Sequence, residues 1–412
     1  MICTECVNLI PLKKLITTQG AFGHCDYCRK PGMCLLDIVV FEYLGERIKE
    51  SYRVFEELSE LERGMFFHGS DKVPMVEYWQ ILQDDFEIGV DEFTENAIKH
   101  LEDELANDEH GNAQLWALDD GSLENNTYEE EWKKFVSDIN HGYRYFNDGA
   151  REFLDSLFKF TCENGKLKKE LITTLDESNP LYRARKTSGF DSWKSFEDAP
   201  WTALGPAPAA KAGDQRMTPS GISAMYCALD RETCLSEIRS ITGDTVISGA
   251  FKPVTSVSLL NLRKLEEMAS FEEHPFDIGY ARASHAYEFL KRLIFKLSKP
   301  RSSSDTLGYL STQVVFEYLR IKFKDQVSGI IFPSVQTGLK GTNAVIFPES
   351  AVTAPHDYET PMGAPTRHDP FFAKPIPLLK FSKGSLVVHK IEAVITESKD
   401  YNDLLDYVVD NL

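Results

Sequence analysis

Four cysteines open the chain in two pairs, Cys3-x-x-Cys6 and Cys25-x-x-Cys28, with eighteen residues between the pairs. Two such knuckles supply four thiolates, the donor set that closes a tetrahedron around zinc. Four protein ligands leave no coordination position for water, so the metal expected here is structural zinc, not catalytic zinc. Gly23 and Gly32 flank the second pair, where tight turns are expected, and His24 and Cys34 are substitute ligands. The competing reading is four free thiols in a small hydrophobic lobe. Cys162, Cys227 and Cys234 are scattered along the rest of the chain. Met1-Ile2-Cys3 begins no basic-then-apolar export region, and paired cysteines in such a chain favour metal over disulfides. A cytoplasmic location is expected.

A second group of chemistry-bearing residues lies past Leu175. In order, it comprises Leu181-Tyr182-Arg183-Ala184-Arg185, Gln215-Arg216-Met217-Thr218-Pro219 with Gly221-Ile222, and Ala224-Met225-Tyr226-Cys227-Ala228. Then follow Glu232 through Arg239, Tyr309 through Gln313, Pro333-Ser334-Val335-Gln336, and Gly341-Thr342-Asn343-Ala344-Val345-Ile346-Phe347. This ordered set, over roughly residues 175–396, resembles the RES domain, named for its Arg, Glu and Ser. The resemblance implies a fold similar to ADP-ribosyltransferases. It also implies the activity of toxins from toxin–antitoxin pairs that destroy NAD by hydrolysis or phosphorolysis. NAD would then be a consumed substrate, and an antitoxin an expected partner. Carried over by position, Arg183, Tyr226, Glu237 and Ser334 match the family's active-site residues, with Arg216 and Asn343 in its flanking motifs. One segment departs from the pattern: the usual Gly-Arg-x-Asn-Pro reads Gln215-Arg216-Met217-Thr218-Pro219 here, with Thr218 in place of Asn and the glycine displaced to Gly213.

The implied chemistry accounts for these residue types. Breaking the nicotinamide–ribose bond leaves positive charge on the sugar, and a nearby carboxylate, assigned to Glu237, lowers that barrier electrostatically. A pyrophosphate is held best by the planar fork of arginine, which makes Arg183 the first choice, with Arg185 and Arg216 in reserve. Tyr226 sits in a short apolar run that reads as a buried strand, where its ring could stack on nicotinamide or ribose. Ser334 follows Phe332-Pro333 at a strand end, where its hydroxyl could bond an amide or a phosphate. Each also has a plain reading: a solvated helix-surface Glu, a surface Arg, a core Tyr and a turn Ser.

The elements that must position these groups follow from periodicity. Past Lys168, β-branched and aromatic runs at Thr245–Phe251, Val254–Leu260, Gly329–Phe332 and Ala344–Phe347 predict strands. Helices are expected between them at Arg231–Arg239, Ala281–Lys296 and Thr312–Phe323, and the stretch rich in Ala and Pro from Ala203 to Ala212 reads as a flexible cover. A long loop is expected from Thr353 to Pro377, then a strand over Ser385–Thr396 and a short helix over Tyr401–Val409. From Leu35 to Lys168 apolar residues recur at three or four spacing, running from Ile38 through Tyr52 and Phe55 to Leu61, which predicts an all-helical middle domain. The fold class expected is α+β: a zinc-ribbon-like lobe over 1–36, a helical domain over 37–168 and a RES domain over 169–412. The helical part resembles the HEPN-related domain often fused ahead of RES domains, and Arg63 and His68 fit the Arg-x4-6-His spacing of HEPN ribonucleases. Its expected role is a scaffold or a homodimer interface.

Charge narrows the partners. The net charge is −19, and residues 84–131 hold seventeen Asp or Glu against Lys99 alone, so −16 of it lies there. That balance opposes nucleic acid and anionic membranes. No stretch is apolar for the roughly 20 residues a spanning helix needs. Gly-x-Gly-x-x-Gly, Walker A, His-Glu-x-x-His and Gly-x-Ser-x-Gly motifs are all missing from the sequence. Two other functions stay open: a protein ADP-ribosyltransferase, and a catalytically inactive nucleotide-binding adaptor with a zinc ribbon.

Overall fold

The computed structural model describes residues 1–68, 73–124, 126–187, 190–267, 274–298, 307–360 and 376–394. The chain divides into two compact units, Met1–Gly165 with Leu265–Leu293, and Lys166–Lys264 with Ile294–Leu412.

In the first unit, β1 (Ile2–Cys3), β2 (Ala21–His24) and β3 (Pro31–Leu35) form an antiparallel sheet in the order β1-β3-β2, with α1 (Ile10–Gln19) leading into β2. Gly23 and Gly32, expected in turns, instead face each other across β2 and β3. α2 (Asp37–Ser51) follows. The helical periodicity across Tyr52 misleads: Tyr52–Val54 is a strand, β4, which precedes a single 3-10 turn at Phe55–Glu57. A new helix, α3 (Glu60–Phe67), then starts at Ser59. A capping box sets that start, the Ser59 hydroxyl accepting the Glu62 N–H and the Glu62 carboxylate accepting the Ser59 N–H. Beyond α4 (Asp91–Leu105), β5 (Trp116–Leu118) pairs antiparallel with β4. The middle region is therefore not all-helical. Pairing Tyr52 and Val54 with Leu118 and Trp116 outweighs a weak local preference for helix.

α5 (Thr127–His141), α6 (Asp148–Phe158) and most of the helix Tyr280–Ser298 complete this unit. His285 is buried there. Its Nδ1 accepts the Thr127 N–H at 3.0 Å, so Nε2 carries the proton toward Asp119 at 2.7 Å, and Asp119 also pairs with Arg53 at 2.9 Å. It is a satisfied core histidine. The acidic residues Glu92, Glu95, Glu102 and Asp103 form an exposed face of α4, whose opposite side buries Phe93, Ala97 and Leu101, while Glu104 pairs with Lys49 of α2.

One core unites the cysteine segment with the helices, joining Ile2, Leu12 and Ile16 to Val40, Leu44 and Ile48 of α2 and to Phe93 and Leu101 of α4. Each such side chain contributes about 1.5–3 kcal/mol on burial. Apolar packing thus adds to whatever a metal supplies.

The second unit is built on a ten-stranded sheet. Its strands are β6 (Ile172–Leu175), β7 (Leu181–Thr187), β8 (Met225–Ala228), β9 (Thr245–Pro253), β10 (Val257–Asn261), β11 (Gly329–Pro333), β12 (Thr342–Ile346), β13 (Thr353–Ala354), β14 (Leu379–Phe381) and β15 (Val387–Lys390). The order is β13-β14-β9-β7-β8-β12-β11-β10-β6, with β15 also on β9. β7 pairs with β9 from Thr187↔Thr245 to Leu181↔Phe251, but meets β8 only at Tyr182↔Ala228. Two well-paired halves therefore join at a single position, and the sheet opens beside Arg183. α7 (Arg231–Glu237) follows β8, with Asp230 capping it by accepting the Thr233 N–H at 2.7 Å, and α8 (Leu310–Phe323) precedes β11. Within the expected long loop and last strand, residues 361–375 and 395–396 lie outside the described residues, as does the whole expected helix Tyr401–Val409. No helix among the described residues is long and apolar enough to cross a membrane.

Candidate active site

The opening between β7 and β8 is a cavity of about 370 Å³, within the range of small-molecule sites. Arg183 from β7, Tyr226 and Cys227 from β8, Glu237 at the end of α7, Arg216 from the preceding loop and Asn343 from β12 all line it. Residues 160 positions apart in sequence converge because β12 pairs with β8, setting Asn343 opposite Ala228.

Glu237 is anchored on one side. Its Oε1 accepts the Ser334 hydroxyl at 2.5 Å and the Asn343 amide at 2.6 Å. Two donors on one oxygen fix the carboxylate in rotation. Ser334 has no exposed surface and does not line the cavity, so its hydroxyl is committed to Glu237. The loop bearing Ser334 packs tightly on the first turn of α7: a Cβ on Gly341 would lie 2.1 Å from the Thr233 hydroxyl oxygen. Arg263 ties down this loop from another direction by donating to the carbonyls of Leu339 and Gly341.

The cations are arranged differently. Arg183 Nη1 and Arg216 Nε are both shielded from water without a hydrogen-bond partner. Burial lowers the Arg183 pKa to about 10, which leaves it charged at neutral pH. Unsatisfied buried donors of this kind cost about 1–3 kcal/mol each, more when charged, unless a ligand meets them. Arg185 points to other work: it is not among the cavity residues, and its guanidinium donates to the Gly205 carbonyl at 2.7 Å.

Tyr226 presents its ring to the cavity while its hydroxyl turns to the Arg216 loop, accepting the Met217 N–H at 3.0 Å and sharing a hydrogen bond with Thr218 at 3.2 Å. Thr218, the departure from the family pattern, thus contributes a hydroxyl to that loop. Burial raises the Tyr226 pKa to about 12, and those of Cys227 and Cys234 also to about 12, so none of the three is an ionised nucleophile at neutral pH.

Two further residues carried only weak signals. Arg239 lines the rim in a left-handed conformation, φ 48°, just past α7. Tyr309 lines the cavity at the start of α8. Both fall within the quoted segments, but nothing in their spacing assigns them a role.

The cysteine quartet is the other candidate centre. Cys3, Cys6, Cys25 and Cys28 place their sulfurs within 4.8 Å of one another, and His24 and Cys34 are not part of the cluster. Cys3 and Cys28 are 3.7 Å apart at sulfur, Cys6 and Cys25 3.8 Å. A metal–sulfur bond of about 2.3 Å sets tetrahedral edges of about 3.8 Å, so the cluster could hold a metal ion. Burial pushes the Cys6 thiol up, whereas backbone N–H groups of Cys28 and Tyr27 lower Cys25 against its own burial. In the second knuckle, Arg29 takes φ 60° and donates its N–H to the Cys25 carbonyl. Arg63 lies within α3 and His68 caps that helix, away from both centres in sequence and on a different element.

No curated protein matches the chain. Comparison with family models matches residues 180–368 to the RES domain. That span takes in Arg183, Arg216, Tyr226, Glu237, Ser334 and Asn343 and excludes the cysteine cluster. That match bears out the resemblance of residues 180–368 to the RES domain.

Proposed function

We propose that the cavity of the second unit cleaves the bond between nicotinamide and ribose in NAD and passes the ADP-ribosyl group to water or phosphate. RES domains are associated with enzymes acting on NAD. The observation that carries the reading is the pairing of one immobilised carboxylate, Glu237, with two guanidinium groups whose shielded nitrogens lack partners. Arg183 and Arg216 meet the pyrophosphate, the tyrosine ring of Tyr226 stacks on the nicotinamide end, and Glu237 faces the ribose carbon with the oxygen that Ser334 and Asn343 leave unused. As the C–N bond breaks, its electron pair leaves with neutral nicotinamide and positive charge collects on the sugar. The carboxylate stabilises that charge until the acceptor's oxygen forms the new bond and its proton passes to solvent or to Glu237.

Such an enzyme drains NAD, and the reading extends to a toxin or defence effector restrained by an antitoxin. The cysteine quartet binds zinc as a structural ion in this reading, because four thiolates at tetrahedral spacing complete the coordination. The test is nicotinamide release from NAD by the purified chain, with and without phosphate. Absence of release in both sinks the reading. ADP-ribose appearing on protein would replace it with protein ADP-ribosylation, and tight NAD binding without turnover would point to an inactive nucleotide-binding adaptor.

A further inference from the structure

The segment that carries Arg216 is a surface loop. Asp214 and Gln215 are exposed, and the residues before them, Ala203–Ala212, hold only short turns. Such a loop opens easily unless something pins it. Among the described residues, Tyr226 and Gln313 both do so. The Tyr226 hydroxyl accepts the Met217 N–H, and from α8 the side-chain amide of Gln313 donates both to Asp214 Oδ1 at 2.7 Å and to the Gln215 carbonyl at 2.8 Å. Gln313 is itself buried, and its helix is packed into the unit through Val315, Phe316 and Leu319. Between the two anchors the loop closes on itself, Gln215 N–H to Thr218 carbonyl at 2.9 Å. Arg216 therefore stands on a span fixed at both ends, with its Nε facing no protein acceptor.

We infer that Gln313 is a positioning residue that acts through Arg216: by holding residues 214–215, it keeps the Arg216 guanidinium in the cavity at the place where the substrate's phosphates bind. The identity of that substrate rests on the NAD reading; the clamp does not. A long amide suits the task because it donates two hydrogen bonds from one nitrogen, reaching a carboxylate and a carbonyl together. A displacement of about 1 Å in a phosphate-holding group can cost about a hundredfold.

The test uses the full chain and Gln313→Met, which keeps the packing volume but removes both donated bonds. Expected is a rise of about tenfold or more in KM for NAD with a much smaller change in kcat, as for loss of an interaction made equally with substrate and transition state. Gln313→Glu, which cannot donate and sets a second carboxylate against Asp214, should be at least as impaired. In an Arg216→Ala background, Gln313→Met should change KM by less than about twofold, because the group it positions is gone. Full, independent effects of the two substitutions would overturn the inference, as would a wild-type KM in Gln313→Met. If the wild-type chain does not act on NAD at all, the NAD reading fails by itself, and hydrogen exchange still judges the clamp. The Gln215 and Met217 amides should exchange at least about tenfold faster in Gln313→Met, and unchanged protection would refute it.

Discussion

Ser334 donates to the same Glu237 oxygen that receives the amide of Asn343, from a position wholly closed to solvent. The serine therefore acts on the carboxylate and not on a ligand. A role at the nicotinamide end, which strand-end placement made reasonable, gives way to a supporting one. Glu237→Gln should fold and lose about a hundred- to a thousandfold in kcat, the usual effect of removing a preorganised charge partner. Ser334→Ala should lose less, about tenfold, since Asn343 still holds the oxygen. Steady-state rates with NAD, alongside melting curves, check both. Equal losses from the two variants would mean that the hydroxyl touches the reacting atoms after all.

Gly341 is the spacer that lets the Ser334 loop lie on α7. Its backbone needs no positive φ, so the limit is space alone: an added methyl meets Thr233 and, 2.8 Å away, the Thr337 hydroxyl. Gly341→Ala should push Ser334 and Asn343 away from Glu237 and reduce kcat at least about tenfold while the sheet stays folded. Gly341→Ala combined with Thr233→Ala removes the closest clash and should regain part of the rate. A single variant with wild-type turnover would show that the loop yields without moving the carboxylate.

How much of this was legible beforehand divides along physical lines. Strands at Met225, Thr245, Gly329 and Ala344 carry continuous apolar or β-branched runs and are legible, whereas Leu181–Thr187, with Arg183, Arg185 and Lys186 in it, does not announce β7. Tyr52–Val54 is not legible either, because its partners Trp116–Leu118 lie more than sixty residues away, and pairing at that range leaves no local trace. The residue types at the cavity were available as motifs, but their division of labour was not. Arg183 and Arg185 are two apart on one strand and share a face, yet one ends in the cavity and the other on the Gly205 carbonyl. Gln313 stood within a quoted segment with no role, since a hydrogen bond across a hundred residues has no sequence signature.

Arg183 gives a pH dependence. Its pKa is about 10 in the folded chain, below the ordinary 12.5, because burial disfavours the charge. The charged form therefore opposes folding at every pH below about 10, and that penalty fades as pH rises from about 10 toward 12.5. Binding of a pyrophosphate runs the other way, since it needs the proton. The melting-temperature increment produced by ADP-ribose should hold steady from pH 7 to 9 and shrink above about pH 10, where the unliganded chain's own burial penalty begins to fade. Arg183→Lys should not restore the increment, because an ammonium cannot present two parallel donors. An increment unchanged at pH 10.5 would remove Arg183 from the phosphate site.

The cysteine quartet makes the last prediction, and the shared core changes its form. Were residues 1–36 an isolated lobe, metal removal would loosen that lobe alone. Ile2, Leu12 and Ile16 instead pack into the same core as α2 and α4, so the cost of losing the metal should spread through the first unit. Purified without chelator, the chain should carry about one zinc, and Cys6→Ser or Cys25→Ser should abolish it. Chelation should lower the melting temperature of the whole first unit and raise hydrogen exchange in α2 as well as in β1–β3. Nicotinamide release at low temperature should persist, since four protein thiolates leave the metal no position for substrate or water. Less than about half a zinc per chain, with all four thiols open to alkylation in the folded protein, would retire the metal centre. Immediate loss of turnover while α2 stays protected would place the metal in the chemistry instead.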